Sequence, residues 1–312
     1  MLVTALIVGQ VPPLPSHESA LRLAAFAGCD VPTLNHDLAG TAHTPTATNL
    51  RPGQPARPIL LHLARHIAAD PCDSAAGRFN LVHHRAWYDN EGDQTTLDVV
   101  RWYADDDSGA ALMTQHPSLG VAVTHDFWPP GWLRDKNLSR AFRSTDWLRA
   151  KSKLQNAQVN RTTQLVAGLA SLATWHSPGL PQRALAAQAL ADTTGITAHP
   201  NTLDQAGRTG IALSATSDNG RQRHLLILNP STGAVMAYER AILTPAGWRT
   251  RVYLLVLTRT HAPHRYWEPP ATSTRPAASL DQREMPRRSG VWLVPAEHPC
   301  TPEHESGEES PR

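Results

Sequence analysis

The hydrophobic and polar positions of the chain follow two rhythms, one typical of strands and one typical of helices. Eight stretches are rich in β-favouring residues and are bounded by clusters of Asp, Asn, Gly or Pro. They are 79–88, 95–104, 110–116, 196–203, 210–217, 223–229, 234–243 and 249–258. Turn signals spaced about 8–12 residues apart favour antiparallel hairpins over parallel βαβ units. The pattern therefore predicts antiparallel meander sheets.

Apolar residues recur at helical spacing in the middle of the chain. Leu165, Leu169 and Leu172 would share one face of a helix over 161–176, which Pro178 and Gly179 follow. Three further helices are predicted, at 59–69, 138–152 and 181–190. The fold class that follows is α+β, with a helical segment inserted between two β regions.

Composition divides the chain into three parts. Residues 1–58 combine an apolar N-terminal run with a Pro- and Thr-rich linker, and residues 59–267 contain the predicted α+β body. Residues 268–312 are rich in Pro, Arg and Glu and contain few apolar positions. We expect this last part to be a disordered tail, since it could bury too little apolar surface to fold.

The N-terminal run LVTALIVGQV is open to three interpretations. It is too short to span a bilayer and lacks the basic residues of a signal peptide. It could be a buried element of the body, the outer half of a membrane helix that begins upstream, or a poor export signal. We favour the membrane helix, which predicts a membrane-anchored or extracytoplasmic protein. If the run is part of the fold, a cytoplasmic location is expected instead.

Charge and cysteine content argue against several classes of protein. With 29 basic against 27 acidic side chains in 312 residues, the chain lacks the basic balance of a nucleic-acid protein. Cys29, Cys72 and Cys300 are too few and too far apart for a disulfide framework or a zinc site. We therefore expect no nucleic-acid partner and no cofactor.

The motifs of the common enzyme families are missing from the sequence, which contains no phosphate-binding Gly-rich loop, GxSxG, HExxH or CxxC. His62 and His66 lie four residues apart on a predicted helix, but no third ligand accompanies them. An enzyme of unrecognised type would need His62, His66, His84 or the pair His125-Asp126 to converge in one pocket. We keep this as an alternative and favour a protein without catalytic activity.

One acidic stretch begins like a calcium-binding loop. Asp89, Glu91 and Asp93 alternate as in such loops, but the glycine stands at the fourth position and the bidentate glutamate is missing. The cluster Asp105 to Asp107 has the same character. We interpret both as hairpin turns and expect no metal site.

Two aromatic pairs end neighbouring predicted strands. They are Trp87-Tyr88 and Trp102-Tyr103, with Trp128, Trp132 and Trp147 further on. Concave sheets that bind apolar ligands are lined by such side chains, and so are sheets that pack on helices. Trp87, Tyr88, Trp102 and Tyr103 are therefore candidate ligand-binding residues, with core packing as the other interpretation.

A basic segment surrounds the predicted helix 138–152. Residues 131–161 carry eight basic and two acidic side chains, a local net charge of +6. This surface could bind an acidic partner or anionic headgroups through Arg140, Arg143 and Arg149, or it could be an ordinary solvated helix face. A structural or interaction module that docks through this helix is our second alternative.

Several motifs resemble those of a known family. They are the strand 79–88 with its terminal aromatic pair, the helices 165–172 and 181–190, the runs GIT at 195–197, DQAGRTGIA at 204–212 and LLILNPSTG at 225–233, and the strand 253–257. On these motifs, residues 59–258 are similar to actinobacterial membrane-anchored proteins that are commonly encoded beside extracytoplasmic-function sigma factors. The resemblance implies an anti-sigma-like or envelope-sensor-like protein with an extracytoplasmic α+β domain. This chain departs from that pattern, since it shows no cytoplasmic segment and only the remnant LVTALIVG of a membrane helix.

Together these observations predict a non-enzymatic extracytoplasmic domain that binds a hydrophobic ligand, an envelope component or a partner protein. A link to envelope sensing or sigma-factor regulation follows from the resemblance alone.

Overall fold

The predicted strand pattern gives rise to one large antiparallel sheet in the computed structural model. The structure describes residues 50–70, 73, 77–116, 122–135, 161–262 and 265. The chain divides into two compact units, 1–274 and 275–312, and every described residue belongs to the first. The N-terminal apolar run, the predicted helix 138–152 and the predicted tail 268–312 all lie outside the described residues.

The described residues form ten strands and four α-helices. The strands are β1 (Gln54–Pro55), β2 (Phe79–Asn90), β3 (Asp93–Tyr103), β4 (Gly109–His116), β5 (Ala122–Trp128), β6 (Thr197–Leu203), β7 (Thr209–Ser217), β8 (Gln222–Leu228), β9 (Val235–Thr244) and β10 (Gly247–Ala262). The helices are α1 (Ala56–His66), α2 (Trp132–Asp135), α3 (Arg161–Ala173) and α4 (Leu180–Ala191).

All ten strands belong to one sheet, in the order β1-β6-β7-β8-β9-β10-β2-β3-β4-β5. Every neighbouring pair is antiparallel. Strands that follow one another in the chain are paired in two series, β2 to β5 and β6 to β10, which we call the two halves of the sheet. The two predicted β regions meet where β10 pairs with β2, from Val252 opposite Tyr88 to Ala262 opposite Phe79. The prediction of an antiparallel sheet is confirmed, and the two β regions share it.

The sequence pattern located most elements within a few residues but missed two strands. Helix α1 begins three residues before the predicted start at Ile59, and Pro58 lies in its first turn. Proline is tolerated there because first-turn amides have no helical acceptor to bond. Strand β1 lies in the predicted linker, and β5 was not predicted.

Side chains alternate between the two sides of the sheet, and one side packs on the helices. Leu226, Tyr238, Leu254 and Val256 face this side, together with Ala86 of β2. They contact α1 residues Leu60 and Leu63, α3 residues Leu165, Val166 and Leu169, and Leu190 of α4 in one buried cluster. We call this the helix-facing side. The opposite side has a buried cluster of its own around Trp87, Leu225, Tyr253 and Leu255.

An arginine links the helices to the sheet. The buried Arg183 of α4 donates to both Asp73 oxygens at 2.7 Å and to the carbonyl oxygens of Thr232 at 2.7 Å and Pro178 at 2.8 Å. Its charge is therefore balanced by a carboxylate, and the β8–β9 turn is held against α4.

Candidate functional site

The four predicted aromatic residues lie on both sides of the sheet. Residues adjacent in a strand point in opposite directions. Trp87 packs at 5.8 Å from Tyr253 on the side away from the helices, where Trp102 is also buried. Tyr88 and Tyr103 point to the helix-facing side, where Tyr88 packs on the main core. The structure therefore does not bring the four together on one surface, and their role in binding stays a prediction.

Three tryptophans meet on the helix-facing side beside Tyr103. The ring centroids of Trp128 and Trp132 are 5.3 Å apart, and Trp175 lies 5.8 Å and 5.9 Å from them. Trp128 ends β5, Trp132 begins α2 and Trp175 follows α3, so three separate elements contribute. We call these three residues the tryptophan cluster. Buried Leu133, Val99 and Ala111 complete its apolar surroundings.

Gly109 provides space for one member of this cluster. It pairs with Trp128 in the β4–β5 ladder, and a Cβ placed on Gly109 would come within 2.5 Å of Trp128 Nε1 and 2.7 Å of Trp128 Cε2. The indole therefore lies directly over the glycine backbone. A larger residue at this position would push Trp128 out of the cluster.

A buried cation lies against the tryptophan cluster. The guanidinium carbon of Arg101 is 3.8 Å from the Trp175 ring centroid, and Arg101 Nη1 donates to the Thr174 carbonyl oxygen at 2.7 Å. Arg101 is only 7% exposed. Burial lowers the pKa of Arg101 to about 10, which leaves the guanidinium charged at neutral pH.

Several buried polar atoms in this region make no hydrogen bond to the described residues. They are Arg101 Nε, His84 Nδ1 and Trp128 Nε1. Burial, followed by the charge of Arg101, lowers the pKa of His84 well below its usual range, so His84 is neutral at pH 7. Buried polar groups in folded proteins nearly always have a partner, in the chain, in water or in a ligand. Their concentration beside three tryptophans marks this region as the candidate site.

A concave region lies elsewhere, between α1 and α4. It is an open groove of about 550 Å³ lined by Leu61, Ala64, Arg65, Pro181, Ala184, Leu185 and Gln188. Its walls are mainly apolar, and α1 carries basic but no acidic residues. The groove could accept an apolar side chain from a partner, but it brings no group together that could carry out chemistry.

The histidines considered for catalysis lie in different parts of the structure. His62 and His66 are exposed on α1, with ring centroids 4.2 Å apart. His84 is buried on β2, and His125 lies on the edge strand β5, half-buried, on the opposite side of the sheet from Asp126. Since α1 packs near β6, at the other end of the sheet from β5, these groups do not converge.

The acidic stretches serve as hairpin turns. Asp89 accepts a hydrogen bond from the Gly92 amide at 3.0 Å and pairs with Arg249 at 2.6 Å, while Asp106 accepts from the Ser108 amide at 3.0 Å. Within the described residues, no group of three or more His, Cys, Asp and Glu side chains is placed to hold a metal ion.

The basic residues Arg140, Arg143 and Arg149 lie outside the described residues, and the docking role predicted for them stays a prediction. Among the helices that the structure describes, none combines the length and apolar character needed to cross a bilayer.

Sequence reasoning listed Trp128 and Trp132 but missed Arg101 and Trp175. Arg101 stands in a predicted strand directly before the aromatic pair Trp102-Tyr103. A charged residue within a hydrophobic run is the feature of the sequence that could have indicated a functional role for it. Trp175 follows α3 and reaches the cluster from a distant part of the chain. No local pattern could have paired it with Arg101, 74 residues earlier by number.

Comparison with known proteins adds little. No protein-family model matches the chain, and no curated protein matches it significantly. Among solved structures, the dehydratase domain from the CurK module of curacin polyketide synthase is 10% identical, with a TM-score of 0.14 over 61% of this chain and 77% of that chain. The dehydratase domain from the CurF module is 12% identical, with a TM-score of 0.13 over 59% and 76%. At these TM-scores the likenesses establish neither fold nor activity.

Proposed function

We propose that the protein is a non-enzymatic binding domain that holds an apolar ligand at the tryptophan cluster, between the β3–β5 part of the sheet and the segment after α3. In this proposal the helical segment 161–191, inserted between the two β regions, supplies one wall of the site through Trp175. The resemblance described above supports placing the domain outside the cytoplasm, in an actinobacterial envelope-sensing or sigma-regulating system.

One observation carries the proposal: buried polar atoms that have no hydrogen-bond partner among the described residues are gathered beside three tryptophans. A buried polar group without a hydrogen bond costs roughly 1–3 kcal/mol of folding stability. If the tryptophans served only for packing, apolar neighbours would therefore make the fold more stable than these polar groups do. Binding sites are typically apolar surfaces with a few convergent polar groups. The cluster has that composition, whereas the histidines of the enzymatic alternative are scattered.

The test uses a simple apolar probe and a matched pair of tryptophan variants. Decanol should raise the Tm of the full chain, because it binds the native state and not the unfolded chain. Trp132→Ala, which removes a partly exposed wall of the cluster, should weaken decanol binding about tenfold, since an aromatic contact is worth roughly 1 kcal/mol beyond its area. Calorimetric titration measures the affinity.

Trp248→Ala is the control, since Trp248 is also partly exposed but lies on β10 against Arg223. Its affinity for decanol should equal that of the wild type. The proposal is wrong if the wild type binds neither decanol nor a charged analogue, or if both tryptophan variants lose binding equally.

A further inference from the structure

The buried arginines of this protein differ in how their charges are balanced. Arg85 and Arg183 are buried and each reach a carboxylate oxygen at 2.6–2.7 Å, and the half-buried Arg208 and Arg223 do so at 2.7 Å. Arg101 is also buried, yet it is in no ion pair with the described residues, and its polar contacts are one carbonyl oxygen and an indole face. A buried charge without a counterion is costly. Of the three buried arginines among the described residues, Arg85, Arg101 and Arg183, only Arg101 lacks a carboxylate partner there, and this exception calls for a role.

The orientation of the Arg101 side chain is held from two directions. The guanidinium carbon lies over the Trp175 ring at 3.8 Å from its centroid, and the hydrogen bond from Nη1 to the Thr174 carbonyl oxygen fixes the direction of that N–H group. Within the described part of the chain Nε makes no hydrogen bond, and the edge that it forms with Nη2 is the side not used for Thr174. Two parallel N–H groups on one guanidinium edge match the two oxygens of a carboxylate.

We infer that the Nε–Nη2 edge of Arg101 receives the carboxylate of an amphipathic acid whose apolar chain lies against the tryptophan cluster. This inference rests on the proposed function and adds the chemical class of the ligand. The anion would supply the counterion that the protein does not provide, and the tryptophans would exclude water from the pair, which strengthens it.

The other polar groups around Arg101 are compatible with an anion. His84, Tyr88 and Tyr103 lie on the same side of the neighbouring strands, and burial raises the pKa of Tyr88, so it is neutral at pH 7. His84 is neutral as well. His176 packs at 5.5 Å from Tyr103. Tyr88 therefore brings no negative charge that would repel a carboxylate.

Among the residues that the structure describes, Asp126 is the one carboxyl that acts electrostatically on Arg101. Arg101 on β3 lies opposite Ala111 on β4, and Ala111 lies opposite Asp126 on β5, so all three side chains point to the same side of the sheet. Asp126 is not in an ion pair with Arg101. Burial raises the pKa of the Asp126 carboxyl, while Arg101 lowers it. An ionised Asp126 would compete with a bound carboxylate for Arg101, so removal of its charge should strengthen carboxylate binding.

The experiment compares decanoate with decanol, two probes that share the apolar chain and differ in the head group. Calorimetric titration of the full chain at pH 7 should show decanoate binding about 10- to 100-fold more tightly, as expected for a charge-assisted hydrogen-bonded pair. Arg101→Met should abolish this preference, so that the variant binds decanoate no more tightly than decanol. Asp126→Asn should strengthen decanoate binding and leave decanol unaffected.

The folded state of Arg101→Met can be verified by its Tm, which should equal or exceed that of the wild type, because an unbalanced buried charge is replaced by an apolar side chain. Arg101→Lys, which keeps the charge but loses the planar edge, should retain only part of the preference. Arg65→Met, on the exposed face of α1, is the control and should retain all of it.

The outcomes separate the two proposals. Equal binding of both probes, unchanged in Arg101→Met, overturns the inference about the carboxylate and leaves the apolar site standing. Binding of neither probe overturns both. Tight decanoate binding that survives Arg101→Met places the anion elsewhere on the protein and also overturns the inference.

Discussion

At the scale of single residues, burial decides which ionisable groups keep their charge. The His224 ring is buried between Tyr238, whose hydroxyl is 2.7 Å from Nδ1, and Gln222, whose Oε1 is 2.9 Å from Nε2. With Nε2 donating to Gln222, the Tyr238 hydroxyl donates to Nδ1, and the ring is neutral. Burial first, and the charge of Arg240 second, lower the pKa of His224 to about 4.

This pKa predicts a stability that depends on pH below neutrality. The unfolded His224 takes up a proton near pH 6.5, whereas the folded one does so only near pH 4, so the unfolded chain binds more protons between these values. The stability due to neutral His224 is complete above about pH 6.5 and is lost as the pH falls toward 4. The loss should be at most roughly 3 kcal/mol, from 1.36 kcal/mol per pKa unit.

Urea denaturation at a series of pH values between 7 and 4.5 would measure this loss. His224→Gln should flatten the dependence, while His62→Gln, on the exposed surface of α1, should leave it unchanged. Buried His84 contributes in the same direction, so part of the slope persists in His224→Gln. An identical slope in wild type and His224→Gln would contradict the assignment.

At the scale of elements, the β6–β7 hairpin shows how a short motif closes a turn. Asp204 Oδ1 accepts from the amides of Ala206 and Arg208, both at 2.9 Å, and Oδ2 accepts from Arg208 Nε at 2.7 Å. Gly207 has a φ of +75°, a conformation that side chains with a Cβ disfavour. Arg208 Nη2 continues to the carbonyl oxygens of Met236 and Val256, which ties the turn to β9 and β10.

Asp204→Ala should therefore destabilise the protein by about 3 kcal/mol, because it leaves two amides and a guanidinium without their acceptor in a buried setting. Asp106→Ala is the matched control. Asp106 also accepts from a turn amide, but it is exposed, whereas Asp204 is 2% exposed. Its loss should amount to about 1 kcal/mol or less. Chemical denaturation measures both, and equal losses would show that burial of the turn is unimportant.

At the scale of the whole molecule, the pairing of β10 with β2 joins two halves that are distant in sequence. β10 is 16 residues long and pairs with β9 through its first half and with β2 along most of its length. The core on the helix-facing side draws residues from both halves, with Ala86 beside Leu254 and Val256. This shared core predicts that the two halves unfold together.

Hydrogen exchange tests this cooperativity. Amides of β2, β8 and β10 should exchange at similar slow rates near the rate of global unfolding, because none of these strands can open without exposing the shared core. The exposed ends of α1 should exchange faster. If the β2–β5 half exchanges much faster than the β6–β10 half, the halves are separate cooperative units and the expectation is wrong.

The sequence was most informative where the structure depends on local chemistry. Turn residues such as Asp204, Gly207 and Asn229 indicated the hairpins because they form their hydrogen bonds within a few residues of themselves. The stripe at Leu165 and Leu169 indicated α3 because helical periodicity is a local property. By contrast, β5 was missed because it lacks a clear alternation of apolar and polar residues. His125 and Asp126 point to opposite sides of the sheet, so each side of the strand carries a polar residue.

What the sequence by itself determined is therefore the antiparallel character, most strand positions and the hairpin turns, all of which follow from interactions between near neighbours in the chain. Only the tertiary structure decided that β10 joins β2, that the predicted aromatic pairs divide between two sides, and that the Arg101 guanidinium lies over the Trp175 ring. These contacts join residues far apart in sequence, and their geometry depends on how the sheet curves and where the helices pack. A buried cation beside three tryptophans exists only once that packing is complete.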